Sequence, residues 1–307
     1  MGRIIITGGT GLIGSRLAKN LAEGGYEVVV LSRNPAGHDL LNGVRAVQWD
    51  ARTAVGWGHL ADGAAAIVNL AGASIAGEGF VPARWTAQRK QLLRQSRINA
   101  GQAVVAAISQ AENKPRVLLQ ASAVGYYGGR GDEILRADAA PGYDFLAALC
   151  QEWEAETAVV EQWGVRRVLL RTGVVLSAAG GALPRLMLPF KLFVGGPLGS
   201  GRQYMPWIHL DDAVQAMRFL LEHDDAQGAY NLAATRPLTN KEFGRILGKV
   251  LKRPAYLPVP AFALRLLLGE VADVVLKGQR AIPAGLQNLG FEFAYPDAEA
   301  ALQELIS

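Results

Sequence analysis

The run Thr7-Gly8-Gly9-Thr10-Gly11-Leu12-Ile13-Gly14, directly behind the apolar segment Ile4-Ile5-Ile6, constrains this chain more than any other feature. Gly8, Gly11 and Gly14 fall at G-x-x-G-x-x-G spacing, and a helical pattern follows. Gly8 permits a tight turn, Gly11 lets backbone approach a pyrophosphate, and Gly14 lets the helix pack closely on the strand. The helix start adds unsatisfied N–H groups and a positive dipole for that phosphate. A P-loop does not fit, because Ser15 stands where its lysine is required. The pattern reads as a strand–turn–helix unit that binds a dinucleotide, and a packing turn without ligand is the plainer alternative.

The unit recurs. Near-continuous apolar runs at 3–7, 27–32, 65–71, 116–122 and 166–171 predict strands buried on both faces, with a short extra strand at 45–49. Helical patterns at 12–23, 86–110 and 144–163 lie between them. Strands alternating with helices imply right-handed crossovers and an α/β fold with a doubly wound parallel sheet. That core spans 1–175, and a smaller lobe spans 176–307. Glycine and proline crowd 180–206, which reads as long loops. A helix capped by Asp211 or Asp212 follows, and 229–232 reads as a strand returning to the sheet. Thr239-Asn240-Lys241-Glu242 has the capping-box pattern and opens a helix to about residue 251.

Of 307 residues, 50% are hydrophobic and 19% charged, ample for a buried core. The single cysteine, Cys150, excludes an internal disulfide and a thiolate metal cage, and suits a reducing, cytoplasmic compartment. His38, His59, His209 and His223 show no ligand spacing, so no metal is expected. No uncharged apolar stretch approaches the roughly 18 residues of a membrane span. A net charge of +4 is too mild to argue for nucleic acid. The expected partner is a small-molecule substrate, with neither nucleic acid nor membrane, and a homodimer is left open. From 79 to 111 the chain has no acid, while Arg84, Arg89, Lys90, Arg94 and Arg97 fall inside it. A solvated helix face and a phosphate-facing patch both fit that stretch.

The second strand selects the dinucleotide. An NAD enzyme usually ends it with an acid on the ribose hydroxyl, but here it ends Val30-Leu31-Ser32-Arg33. Ser32 can donate to a 2′-phosphate and Arg33 can pair with it, which favours NADP(H).

The glycine run resembles that of the extended short-chain dehydrogenase/reductases. So do Asn69-Leu70-Ala71-Gly72, Tyr126-Tyr127-Gly128, Arg171-Thr172-Gly173 and Pro206-Trp207-Ile208-His209-Leu210-Asp211-Asp212. More narrowly, the chain is similar to the atypical epimerase-like family 39, of the NAD-dependent epimerase/dehydratase superfamily with a C-terminal domain of unknown function. The resemblance covers essentially the whole chain and implies a Rossmann core with an NADP(H) site. By position it places Gly8, Thr10, Gly11, Leu12 and Ile13 at the pyrophosphate and Ser32 and Arg33 at the 2′-phosphate. Leu70, Ala71 and Gly72 would border the adenosine, Arg97 would reach the cofactor, and Val174 would sit near the nicotinamide.

The chain departs from that family at the proton relay. Typical members carry Tyr-x-x-x-Lys on the helix after the fifth strand, where the lysine lowers the tyrosine pKa. Here Phe145 and Leu149 occupy those positions, and Ala123 takes the place of the serine with Ser122 one residue earlier. Ser122, Tyr126 and Tyr127 are the remaining hydroxyls near the expected nicotinamide and the catalytic candidates. For Tyr126, core packing is the equal alternative. Glu152 and Glu154 lie on the same helix, at least one as an ordinary solvated acid. His209, Asp211 and Asp212 read as structural more than catalytic. Two functions follow: an NADP-dependent oxidoreductase or epimerase-like enzyme on a nucleotide sugar or small carbonyl compound, or a non-catalytic NADPH-binding regulator.

Overall fold

The computed structural model describes residues 2–37, 43–77 and 79–307. Seven parallel strands form the central sheet: β1 (Arg3–Thr7), β2 (Glu27–Ser32), β3 (Val44–Gln48), β4 (Ala66–Asn69), β5 (Val117–Ala123), β6 (Arg166–Thr172) and β7 (Gly228–Leu232). Their order is β7-β6-β5-β4-β1-β2-β3, so the chain reverses direction across the sheet between β1 and β4. Ile4 to Ile6, Val28 to Val30 and Ala66 to Val68 are almost wholly buried, which is why these strands read as unbroken apolar runs.

Alternate side chains serve opposite faces. Ile4, Ile6, Val28 and Val30 pack under α1 (Leu12–Glu23) and α5 (Leu210–Glu222). Ile5, Val29, Ile67 and Leu118 pack under α2 (Ala87–Gln110). Beyond the sheet, α4 (Leu183–Lys191), α6 (Asn240–Leu251) and the helix Ala298–Ile306 share a second core around Phe190, Trp207 and Phe243.

Several local expectations change; the strand expected at 65–71, for one, is only Ala66–Asn69. The helix expected at 144–163 ends early as α3 (Phe145–Ala155), and a 3-10 turn, Ala158–Trp163, follows. Thr157, Val159 and Val160 are β-branched and continue an α-helix poorly. The region expected as loops contains α4, because Pro184 sits in its first turn, where a missing N–H costs nothing. The cap of α5 is His209, whose Nδ1 accepts the Asp211 N–H at 3.1 Å, so neither aspartate caps it. The edge strand runs 44–48, one residue earlier than expected. His38 lies outside the described residues.

Candidate cofactor and active site

The carboxyl ends of β1, β2, β4 and β5 face the crevice where the strand order reverses, the usual ligand edge of such a sheet. Gly8 holds φ +67°, and a Cβ there would lie 2.9 Å from the Leu70 backbone. A Cβ on Gly14 would collide with the Gly8 carbonyl, so strand and helix touch backbone to backbone. Gly11 differs: its Cβ would meet only the Gly8 carbonyl, at 3.3 Å. Space there is left open rather than filled by protein. Gly11 is also the N-cap of α1 and offers no side-chain cap, so the first helix amides lack the partner that Thr86 gives α2 and Asp144 gives α3. Thr10 is exposed, and Leu12 and Ile13 are half-buried beside it.

A buried polar rung supports this loop. Thr7 Oγ1 donates to Asn69 Oδ1 at 2.6 Å and accepts the Ala71 N–H at 3.1 Å. Asn69 Nδ2 donates to Gln120 Oε1 at 2.8 Å. The three residues sit in register on β1, β4 and β5 and pin Leu70-Ala71-Gly72 against Gly8. Neither Thr7 nor Gln120 belongs to a motif that marks it as a support of the site. A polar residue near the carboxyl end of each apolar strand was the available signal.

Arg97 lies against Gly72, where a Cβ would stand 3.3 Å from its Cγ. Its guanidinium stacks on Trp153, 4.8 Å from the ring centroid, and Nη1 donates to the carbonyls of Leu93 (2.9 Å) and Ala73 (3.2 Å). It is 8% exposed and pairs with no carboxylate among the described residues. Burial pulls it down to about 10, so it stays charged at neutral pH at a desolvation cost. Ser32 is buried, and its Oγ accepts the Asn34 N–H at 3.1 Å, while Arg33 is exposed. Val174 begins the short strand Val174–Leu176, paired in parallel with Trp207–His209.

The catalytic candidates fall into one cluster. Ser122 Oγ donates to Glu154 Oε1 at 2.6 Å, and Arg171 binds both oxygens of Glu154 at 2.8 Å. Tyr127 Oη donates to Asn231 Oδ1 at 2.6 Å and accepts from Arg171 Nη1 at 3.1 Å. Asn231 Nδ2 in turn donates to the Leu135 carbonyl at 2.9 Å. Tyr127 has no exposed surface, and burial pushes its phenol above 10. Tyr126 is half-buried, edge-on to Tyr127, with the Arg171 guanidinium 3.4 Å from its ring centroid. Glu152 is the solvated acid of its helix and pairs with Arg94. Glu154 is buried, and the sequence pattern carried a hint: Ala147, Cys150 and Glu154 share the apolar stripe of α3.

Residues 4–233 match the model of the NAD dependent epimerase/dehydratase family, and residues 259–305 match DUF1731, a domain of unknown function. The chain belongs to the epimerase/dehydratase family. It is 40% identical to the epimerase family protein YfhF of Bacillus subtilis, across 99% of this chain and 98% of that one. The chloroplastic epimerase family protein SDR39U1 homolog of Arabidopsis thaliana is 39% identical, over 99% of this chain and 86% of its own. The human epimerase family protein SDR39U1, whose crystal structure contains NADPH, superposes with TM-score 0.87 at 32% identity, covering 99% of this chain and 98% of that one. The expected family and the doubly wound fold are both borne out.

For an epimerase/dehydratase family member, the relay positions are apolar. Phe145 packs edge-on to Trp85 at 5.3 Å with the Lys90 ammonium 5.0 Å from its ring centroid, and Leu149 is buried. His209 Nε2 contacts Glu304 at 3.0 Å and its ring stacks on Tyr295, so it ties down the C-terminal helix. Among the described residues no cluster of His, Cys, Asp and Glu suits a metal, and no helix is long and apolar enough to cross a membrane.

Proposed function

We propose that this family member binds NADP(H) along the edge of β1, β2 and β4 and acts as an oxidoreductase or epimerase-like enzyme on a small carbonyl compound or nucleotide sugar. The carrying observation is Arg97: a buried cation beside Gly72 that meets carbonyls and the Trp153 ring but no carboxylate among the described residues, on the same sheet edge as the helix amides that lack a cap. A phosphate-bearing ligand would satisfy both, since anions are favoured at helix N-termini and buried charges need counter-charges. Gly8, Thr10, Gly11, Leu12 and Ile13 would hold the pyrophosphate, and Ser32 with Arg33 the 2′-phosphate. Leu70, Ala71 and Gly72 would border the adenosine, with Val174 near the nicotinamide. The core at 1–175 with β7 would carry this site, and the lobe at 176–307 would close over the substrate. When bound, the cofactor supplies or accepts a hydride; the chain must manage the proton.

The Ser122 hydroxyl is committed as a hydrogen-bond donor to Glu154, and the Tyr127 hydroxyl as a donor to Asn231. Tyr126, whose hydroxyl lies outside that network, is therefore the favoured acid/base of the three. Its neighbour Arg171 is held by Glu154 and orients the ring rather than serving as a base. The buried Cys150 thiol, pushed up to about 11 by burial, takes no part and fits a reducing cytoplasmic compartment.

A second reading, an NADPH-binding protein with little turnover, is favoured by Phe145 and Leu149 at the relay positions. One assay separates the two. Purified protein with NADPH is presented with a panel of carbonyl compounds and nucleotide sugars. Oxidation of NADPH by any of them, slowed by Tyr126→Phe, supports the first reading; tight binding with a flat trace across the panel supports the second.

A further inference from the structure

Three stretches of the chain contain no Asp or Glu: 79–111, 162–210 and 243–269. The fold brings parts of all three together. The Leu257 N–H donates to the Gly195 carbonyl at 3.1 Å and the Val259 N–H to the Pro197 carbonyl at 2.9 Å, laying 255–260 along 193–199. Arg185 reaches the carbonyls of Gly79 and Phe80 at 2.8 and 3.1 Å, and Arg84 reaches those of Leu266 and Leu267.

These segments leave large apolar side chains in water. Phe80, Leu192, Phe193, Tyr256, Phe262 and Leu266 are between 50% and 75% exposed. The helix α7 (Ala261–Leu268) shows that this is a face, not a loosened core. Leu264 and Leu268, one turn apart, are buried inward, while Phe262 and Leu266, also one turn apart, are exposed. A helix apolar on both sides expects a second partner, and monomers in water rarely leave so much apolar surface contiguous.

The charge on this face selects the partner. Lys191, Lys252 and Arg253 are exposed and form no ion pair among the described residues, with Arg253 stacked 4.6 Å from the Phe193 centroid. The bordering acids are already neutralised, Glu270 by Lys90 and Asp273 by Arg265. We infer that this face docks the protein on an anionic lipid surface. A two-fold contact with a second copy would set these same cations against each other. Anionic headgroups pair them instead, while the acyl boundary takes Phe193, Phe262 and Leu266. No membrane span is needed, so this departs from the sequence expectation without conflicting with the absence of a spanning helix among the described residues. The acid-free stretches were visible in the sequence, but their convergence was not.

The test is co-sedimentation with vesicles of phosphatidylglycerol and phosphatidylcholine, against pure phosphatidylcholine, at low and high salt. Wild-type protein is expected on the anionic vesicles at low salt and off them at high salt. Phe262→Ser with Leu266→Ser, and separately Lys252→Glu with Arg253→Glu, should each lower vesicle affinity about tenfold or more. Thermal melting of the Phe262/Leu266 variant should match the wild type, and that of the Lys252/Arg253 variant should stay within a few degrees of it, since the side chains are exposed and only the Phe193 stacking and the α6 C-terminus are touched. Wild-type protein that ignores anionic vesicles at low salt overturns the inference, as do variants that bind like wild type. A dimer that the variants dissociate, without vesicle binding, assigns the face to self-association and overturns it too.

Discussion

Two arginines carry the cofactor reading, and they behave differently when removed. Arg33 is exposed at the carboxyl tip of β2, so Arg33→Ala removes a charge without disturbing a core. NADPH binding should weaken by roughly 1.5–3 kcal/mol, as for a charge-assisted hydrogen bond, with NADH affinity barely changed. Equal losses for the two cofactors, measured by fluorescence titration, would remove Ser32 and Arg33 from the 2′-phosphate. Arg97 is buried and unpaired by any described carboxylate, so the free protein bears its desolvation cost. Arg97→Met keeps the length of the side chain over Trp153 and drops the charge. The ligand-free melting temperature should hold or rise, while the rise on adding NADPH should shrink. A collapse of the ligand-free protein with an undiminished NADPH shift would make Arg97 a structural residue only.

At the level of elements, regular segments declare themselves through patterns that need no partner. The bounds of β1, β2 and α1 agree with the sequence expectation because continuous burial and the flanking glycines act locally. Thr239 and Glu242 form the capping box expected of them: Thr239 Oγ1 accepts the Glu242 N–H, and Glu242 accepts the Thr239 N–H at 2.8 Å. Those hydrogen bonds to Thr239 hold the Glu242 carboxyl below its usual 4.5. A carboxyl with a depressed folded-state pKa stabilises above its unfolded value, and loses that contribution as pH falls through the folded value. Because the carboxylate is exposed and screened by water, Glu242→Ala should cost only roughly 0.3–1 kcal/mol near neutrality. The gap between variant and wild type should close as the solution is acidified below pH 4.5, in denaturant titrations across pH. A gap that does not vary with pH would show that the carboxylate does not supply the cap's strength. The rung Thr7–Asn69–Gln120 and the Glu154–Arg171 pair were illegible for the opposite reason. Each joins residues far apart in sequence, and each polar group sits inside an apolar pattern that predicts only burial. The glycine loop was legible because backbone geometry demands glycine, whereas Ser122 and Tyr127 were named as hydroxyls with no means of knowing that Glu154 and Asn231 hold them.

Across the whole molecule, the two matched regions, 4–233 and 259–305, are stitched together at the sheet rather than joined by a linker. Asp212, on α5 against the sheet, accepts the N–H groups of Ala294 and Tyr295 at 2.8 and 2.9 Å. Leu286 is wholly buried in the same cluster as Ile4 and Val30. Asn231, which holds the Tyr127 phenol, donates to the Ile282 carbonyl at 3.2 Å. Burial already raises the Asp212 carboxyl, with the two backbone donors opposing that rise. Removing residues 259–307 would take both donors away, uncover Leu286's partners and loosen Asn231 beneath Tyr127. Hydrogen bonds to a charged acceptor contribute about 1.5–3 kcal/mol each, and with the lost apolar burial around Leu286 that is large against a total stability of roughly 5–15 kcal/mol for a domain. A chain ending at 258 should therefore lose cooperative melting and bind NADPH poorly, although it retains every residue proposed to touch the cofactor. Calorimetry of the two lengths decides the matter. If the shortened chain melts cooperatively within a few degrees of the full one, the C-terminal segment is an independent lobe and the stitching through Asp212 is not what stabilises the sheet.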